Sequence, residues 1–325
     1  MTGSGAARGR GGRDEGGGGR QSSSASSAYA PGSQYGSLLD ALRGVHWPAR
    51  RAVPHGATGA HHSRTRGVSA EFTEYRNYRQ GDDPRRIDWK LLARSDRAYI
   101  RLATDRAVLP TVLVVDATAS MHFPAGDAGK WAQARRLAVG LAAVAHRDGD
   151  PVGLTVVSGQ GVRRLAARTR RGVVAEVART VDEAAPGGAA SLATALTAAA
   201  HAAARVAVIS DFLSDEDAIL AAGRELRAAG GELYAVHVVA GEELEPAALG
   251  VLAADPEDAA VRRPLVEGSV GEYRDAFAAW RERLARAWRD AGAAYALVRD
   301  DEPAERAVRR VVAPGAPAVA HGALG

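Results

Sequence analysis

The chain has 325 residues, of which 46% are hydrophobic, so it can bury the core of one large domain or of two ordinary ones. It contains no cysteine, which excludes disulfides, thiolate catalysis and thiolate metal sites. Its net charge of +4 comes without a nucleic-acid-binding motif, a long apolar run or a signal peptide, so we expect a soluble, cytoplasmic protein that neither binds nucleic acid nor inserts into a membrane.

The composition divides the chain into four parts. Residues 1–36 are rich in Gly, Ser and Arg and are predicted to form a disordered leader, which resembles RNA-binding glycine–arginine segments only loosely because no aromatic residue alternates with the arginines. Residues 37–110 form a smaller segment with mixed charges and aromatic side chains. From 111 to 299 apolar strands alternate with helices, which is typical of an α/β fold with a mostly parallel, doubly wound sheet. Residues 300–325 end in Gly, Pro and Ala and are predicted to form a flexible tail.

Hydrophobic patterns place the elements of the third part. Short apolar runs predict strands at 111–116, 152–157, 162–166, 205–210, 232–239 and 294–298. Helical periodicity or alanine-rich composition predicts helices near 129–147, 171–183, 191–203, 215–229 and 270–291. The turn Ser158-Gly159-Gln160-Gly161 predicts a hairpin, which places one antiparallel strand at an edge of the otherwise parallel sheet.

Polar side chains follow two of these strands at the point where each strand ends. Asp116 ends the strand 111–116, and Thr118 and Ser120 follow it at alternate positions. Asp211 directly follows the strand 205–210. Carboxylate and hydroxyl oxygens suit Mg²⁺, and ligands of open α/β sheets bind at the carboxyl ends of the strands. The first three residues could instead cap the turn and the next helix, but the second acid at the same edge favours the binding interpretation.

A glycine turn at 186–188 lies between the two acids in the chain and opens a helix at Leu192. Together these features resemble the von Willebrand factor A domain and its metal-ion-dependent adhesion site. The resemblance implies that Asp116, Ser120 and Asp211 are metal ligands and that Thr118 replaces a serine ligand. The family also supplies a threonine from the glycine turn, whereas this chain has Ala190 at that position, with the adjacent Ser191 as a weaker candidate. The implied Mg²⁺ site is therefore missing one oxygen, and a vestigial site is the alternative.

The strand ending at Asp116 also suggests a different class of function, an aspartate-dependent phosphatase. Strand-Asp-x-Asp resembles the haloacid dehalogenase superfamily, but Thr118 stands where that superfamily has its second aspartate. This aspartate normally acts as general acid and base, and a threonine hydroxyl does not do so near neutral pH. We therefore rank the phosphatase below the adhesion site.

Residues 71–94, which we call the signature segment, combine acidic, basic and aromatic side chains. Their composition indicates either an ion-paired structural element beside the sheet or a partner-binding surface. The order Glu-Phe…Arg-x-Tyr-x-x-Gly-Asp-Asp-x-Arg-x-Ile-Asp-Trp-Lys, followed by Ala-Arg, resembles the hallmark of the family catalogued as domain of unknown function 58. The residues selected from this match are Glu71, Arg76, Tyr78, Gly81, Asp82, Asp83, Arg85, Asp88, Trp89 and Arg94.

The two resemblances together imply a protein that is not an enzyme. Members of the second family are commonly found beside MoxR-type AAA+ ATPases and are thought to act as their adaptors or co-chaperones. The resemblance thus implies metal-assisted protein–protein interaction with such an ATPase and with a protein client.

Overall fold

A computed structural model describes residues 33–50, 71–80, 84–95, 97–104, 108–124, 128–200, 205–246, 252–254, 262–264 and 267–313. All of these fall in one of the two units into which the chain divides, Pro31–Gly325. The first described element is a 3-10 turn at Ser33–Tyr35, which leads into helix α1 (Gly36–Ala41). The domain boundaries named above stay predictions.

A six-stranded sheet forms the centre of the fold. Its strands are β3 (Thr111–Asp116), β4 (Val152–Ser158), β5 (Gly161–Arg168), β6 (Arg205–Ser210), β7 (Glu232–Val239) and β10 (Ala294–Arg299). They are arranged in the order β10-β7-β6-β3-β4-β5, and all are parallel except β5, which pairs antiparallel with β4. The mostly parallel α/β sheet and its antiparallel edge hairpin are therefore confirmed.

Helices cover both faces of this sheet. They are α3 (Lys130–Arg147), α4 (Val173–Asp182), α5 (Leu192–Ala200), α6 (Glu216–Ala228), α7 (Gly241–Leu244), α8 (Glu267–Asp290) and α9 (Ala304–Val312). Because successive strand residues point to opposite faces, Leu113 and Val115 pack into the core that contains α3, whereas Val112 and Val114 pack into the core that contains α5. Both faces of the central strand β3 are thus buried, as its apolar sequence predicts.

The last of these helices corrects one prediction. The flexible tail predicted at 300–325 is wrong for α9, which packs against α3 and buries Val308 completely. A Cβ added at Gly140 of α3 would lie 2.8 Å from the Val308 side chain, so the two helices are in close contact. The apolar residues of α9 recur every three or four positions and form the buried stripe of an amphipathic helix. Residues 314–325 lie outside the described residues.

The signature segment lies within a second, smaller sheet and its connection. Strand β1 (Glu71–Asn77) pairs antiparallel with β2 (Tyr99–Thr104), and a 3-10 turn (Pro84–Arg86) and helix α2 (Trp89–Ser95) lie between them. The Asp88 carboxylate accepts hydrogen bonds from the backbone N–H groups of Lys90 and Leu91 at 3.1 and 3.0 Å, so Asp88 is the N-cap of α2.

Other signature residues have less buried positions. Trp89 is 62% exposed, Arg85 and Arg94 are exposed, and Tyr78 is half-buried. Gly81, Asp82 and Asp83 lie outside the described residues, as do the side chains of Glu71 and Arg76. The remaining strands, β8 (Leu252–Ala254) and β9 (Arg262–Pro264), form a separate antiparallel pair. Over the described ranges, no helix combines the length and the apolar composition that crossing a bilayer requires.

Candidate functional site

The loops after β3 and β6 meet at the carboxyl edge of the sheet, because these strands are parallel neighbours. Asp116 is 1% exposed, and both of its carboxylate oxygens accept hydrogen bonds. Oδ1 accepts from the backbone N–H of Thr118 at 2.8 Å, and Oδ2 accepts from the Ser210 hydroxyl at 2.6 Å. Asp116 is thereby fixed by its own loop and by the neighbouring strand.

The two predicted hydroxyl groups lie in the first of these loops. The chain continues from Thr118 into a short 3-10 turn at Ala119–His122, and both Thr118 and Ser120 are buried. Their hydroxyl oxygens are 3.3 Å apart, within hydrogen-bond distance. The loop therefore presents two buried hydroxyls in the stretch that directly follows Asp116.

The pKa of the Asp116 carboxyl group is higher than that of an ordinary aspartate. Burial and then the negative charge of Asp211 raise the pKa of Asp116 to about 6, while the hydrogen bonds from Ser210 and Thr118 act in the opposite direction. Asp211 is itself buried. The electrostatic effect of one acid on the other is consistent with their placement at the ends of adjacent strands.

A lysine that the sequence analysis did not select holds the second acid. The Lys130 ammonium donates to Asp211 Oδ2 at 2.8 Å and to Glu243 Oε1 at 2.6 Å, and the Lys130 side chain is 1% exposed. Burial alone would lower the pKa of Lys130, but the charges of Asp211 and Glu243 raise it above its ordinary value. The site therefore contains a buried ammonium ion between two carboxylates.

Local geometry explains how Lys130 reaches this position. Lys130 is the first residue of α3, and the preceding Gly129 has a φ of +101°, which favours glycine. A Cβ at Gly129 would lie 2.6 Å from the Pro124 carbonyl oxygen, and the Lys130 backbone N–H donates to the Phe123 carbonyl at 3.2 Å. The glycine thus lets the helix begin directly beside the loop that follows β3.

The second acid bound by Lys130 is Glu243. It follows β7, which lies on the other side of β6 from β3. It lies in α7, the short helix after β7, and its second oxygen accepts a hydrogen bond from the Ala240 backbone N–H at 2.8 Å. Burial raises the pKa of Glu243, although the Lys130 charge opposes this effect. The carboxylate is consequently oriented by both its own helix end and the lysine.

The glycine turn also lies beside the Asp116 loop. The backbone N–H of Gly187 donates to the Ala117 carbonyl, and the Gly188 carbonyl accepts from the Ala119 N–H, both at 2.9 Å. Ser191, however, is exposed, and its hydroxyl oxygen faces the backbone N–H of Thr194 at 3.4 Å, as a long N-cap contact for α5. The glycine turn therefore contacts the Asp116 loop, but the Ser191 hydroxyl is directed to its own helix.

The loop after β6 is held in a strained backbone conformation. Phe212 has a φ of +55°, in the left-handed region that bulky residues rarely adopt. Its buried ring packs against Trp288 at 5.1 Å and against His237 at 5.7 Å between ring centroids, which holds the loop in place. The next residue, Leu213, is 47% exposed, and Phe123 in the loop after β3 is 40% exposed. We call Phe123 and Leu213 the apolar rim.

His237 belongs to the support of the site. Burial, then the positive charges of Arg281 and Lys130, lower the pKa of His237 to about 3, so its imidazole is neutral near pH 7. Its Nδ1 lies 2.7 Å from the Tyr295 hydroxyl, and its ring packs edge-on against Trp280. Trp288 of α8 lies in the core on that face of the sheet, and the partly buried Trp280 packs against this core.

These side chains fit the ammonium group of Lys130 better than they fit a magnesium ion. Oxygen donors of the type that Mg²⁺ prefers do lie at this edge, but Asp211 already carries Lys130, and Ala190 has no oxygen to offer. Across the described ranges, no three His, Asp or Glu side chains gather as a metal-binding group. Mg²⁺ binding by Asp116, Thr118, Ser120 and Asp211 stays a prediction.

Sequence reasoning missed Ser210, Lys130 and Glu243. A signal for Lys130 was present, because a cation at a helix N-terminus is opposed by the helix dipole and needs compensating acids. Ser210 directly precedes Asp211 and faces the same edge. Glu243 lies three residues beyond the alanine that follows β7, so strand-end patterns alone do not select it.

Comparison with known sequences identifies the family. The sequence model of the family described as "Protein of unknown function DUF58" matches residues 74–285. This chain belongs to that family. Uncharacterized proteins of Mycobacterium bovis and Mycobacterium tuberculosis are 30% identical to it over 274 residues, which cover 81% of this chain and 85% of each relative.

Solved structures with detectable similarity were also found. BatB from Bacteroides thetaiotaomicron is 17% identical, with a TM-score of 0.42, and the match covers 62% of this chain and 96% of BatB. The SpRpn10 VWA domain is 11% identical, with a TM-score of 0.39, and the match covers 65% of this chain and 100% of that domain.

Proposed function

We propose that this chain is a non-enzymatic protein–protein interaction module that docks its partner at the carboxyl edge of the sheet. The observation that carries the proposal is the apolar rim above the buried charges. The Phe123 ring centroid lies 5.9 Å from the Lys130 ammonium, and the Leu213 backbone N–H donates to Asp211 Oδ1 at 3.3 Å. Exposed apolar side chains that lie together can mark a protein-binding surface, and a few residues of such a surface carry most of the binding energy.

We propose a MoxR-type AAA+ ATPase as the partner, with this chain acting as its adaptor or co-chaperone toward a protein client. The support for this identity is the match of the signature segment to the family pattern, together with the domain that follows it. A cytoplasmic location belongs to the same proposal, because the ATPase needs a supply of ATP. The apolar rim is the surface on which the ATPase would place apolar side chains of its own.

A binding experiment tests the rim directly. The full chain carrying Phe123→Ser or Leu213→Ser is titrated with a purified MoxR-type ATPase of the same source. Each variant should bind at least about tenfold more weakly, since loss of an interface hot spot typically costs about 2 kcal/mol or more. Val108→Ser is the matched control, because Val108 is 51% exposed but precedes β3, at the amino end of the sheet. Equal weakening by all three variants, or none by either rim variant, would contradict the proposed docking surface.

The proposal does not require a metal ion. The magnesium ion predicted from the sequence is tested by repeating the titration in Mg²⁺ and in EDTA. Tighter binding in Mg²⁺ than in EDTA would indicate that the ion takes part in the interface. Equal binding would indicate that the apolar rim provides the affinity without the ion.

A further inference from the structure

A cation is already built into the carboxyl edge of the sheet. The Lys130 ammonium lies between Asp211, which follows β6, and Glu243, which lies beyond β7, and it donates hydrogen bonds to both. Its side chain is 1% exposed, so water does not replace these bonds. Three separate segments of the chain therefore meet at one ammonium group.

A divalent ion at Asp211 would compete with this group. Mg²⁺ lies about 2.1 Å from its oxygen ligands. Bound to Asp211 Oδ2, which is 2.8 Å from the Lys130 nitrogen, it would lie at most about 5 Å from the ammonium. The repulsion between the two positive charges would be poorly screened, because Lys130 and Asp211 are both buried.

The remaining donors do not compensate for the loss of Asp211. Asp116 is bonded by Thr118 and Ser210, and position 190 is an alanine. Without Asp211, the adhesion-type set would be reduced to one carboxylate and two hydroxyls. Mg²⁺ gives up its water ligands reluctantly, so such a set holds it weakly.

We infer that Lys130 is the resident cation of this site and that it holds the loops after β6 and β7 together without a divalent metal. The lysine thus has a positioning role: its ammonium fixes the Asp211 loop that carries Leu213 and the α7 helix that carries Glu243. The inference concerns the assembly of the site and does not depend on the identity of the docking partner.

Substitution of the lysine tests this inference. The full chain is compared with Lys130→Met, which keeps most of the length of the side chain and removes its charge. Arg136→Met is the matched control, because Arg136 is an exposed cation on the same helix, α3. Melting temperatures are measured in EDTA, in Mg²⁺ and in Ca²⁺, and Mg²⁺ binding to the wild type is measured by calorimetry.

The wild type should melt at the same temperature in all three solutions and bind no Mg²⁺ in the calorimeter. Lys130→Met should melt roughly 5–10 °C lower than the wild type in EDTA, because it leaves two buried carboxylates unpaired. Their bonded oxygens are at most about 5.4 Å apart, so a divalent ion placed between them should restore part of the loss. Arg136→Met should behave as the wild type.

Two results would overturn the inference. One is stoichiometric Mg²⁺ binding to the wild type that disappears in Asp116→Asn, which would establish a metal site beside the lysine. The other is a Lys130→Met protein that melts like the control. Should Lys130→Met fail to fold, the calorimetry on the wild type still decides, and Lys130→Arg, which retains a cation, should fold and remain insensitive to EDTA.

Discussion

Replacing Asp116 with asparagine measures how strongly the fold disfavours the charge of this buried carboxylate. Asparagine has nearly the same shape, and its amide oxygen can still accept the hydrogen bond from the Thr118 backbone N–H. The substitution removes the charge that burial and Asp211 disfavour. It should therefore change how the free energy of unfolding depends on pH.

The magnitude follows from the pKa of Asp116. The pKa rises from 3.8 to about 6 on folding, a difference of roughly two units, and each unit corresponds to about 1.36 kcal/mol. Between these pH values the folded protein binds more protons than the unfolded chain, so the contribution of Asp116 to stability falls as the pH rises. The Asp116 carboxyl group destabilises the fold least below about pH 4. Above about pH 6 it lowers the free energy of unfolding by its full amount, about 3 kcal/mol.

Urea unfolding followed by tryptophan fluorescence between pH 4 and 8, in buffer with EDTA, tests this value. From pH 4 to pH 7, Asp116→Asn should gain about 2 kcal/mol of stability relative to the wild type. Asp217→Asn, which removes an exposed acid from α6, is the control. Parallel profiles for the wild type and Asp116→Asn, within about 1 kcal/mol, would refute the argument that this carboxyl group is strongly desolvated.

Three further substitutions, the last with a control, test a buried ion pair, a core contact and a helix cap. Arg205→Met should lower the free energy of unfolding by about 3–5 kcal/mol in urea titrations, because the fully buried guanidinium is paired with two carboxylates; a loss under 1 kcal/mol would mean that the pairing is not needed. Val308→Ala should cost about 2 kcal/mol in the same assay if α9 belongs to the core, and nothing if 300–325 is a tail. Asp88→Ala should cost about 1 kcal/mol through loss of the α2 N-cap, whereas the exposed Arg94→Ala should stay within 0.5 kcal/mol of the wild type; equal effects would argue against the cap.

The sheet could be predicted from the sequence because its signal is local. Parallel strands that are buried on both faces must be continuously apolar, and the sequences of β3 and β6 are of this kind. Each observed strand of the large sheet lies within two residues of its predicted bounds. The helix α9 was missed because four charged residues alternate with its apolar stripe. The stripe is buried only through the contact with α3, which the local sequence does not reveal.

The candidate site could be predicted only in part. Asp116 and Asp211 were found because one ends a strand and the other directly follows one, and parallel strands end at one edge. The charge balance of the site depends instead on Lys130, which is 81 residues from Asp211 and 113 residues from Glu243 in the chain. No local pattern predicts such pairings. In the signature segment, composition alone does not tell a buried aromatic ring from an exposed one, and Trp89 is largely exposed.

At each end of the β6–β7 strand pair, one buried cation lies between two acidic side chains. At the amino end, Arg205 of β6 pairs with Asp150 and with Glu232 of β7, at 3.1 and 3.3 Å. At the carboxyl end, Lys130 pairs with Asp211 and Glu243.

The two ends differ in what lies above the charges. The Arg205 guanidinium is covered by the Trp47 ring at 4.5 Å and donates to the Trp47 carbonyl, so the buried segment at Trp47 closes this end. Phe123 lies over Lys130 in a comparable way, but its ring is 40% exposed. A buried cation usually needs its surroundings to exclude water if its ion pairs are to remain strong. The carboxyl end is therefore the one that keeps an exposed aromatic ring above its buried cation, and we propose it as the end that a docking protein covers.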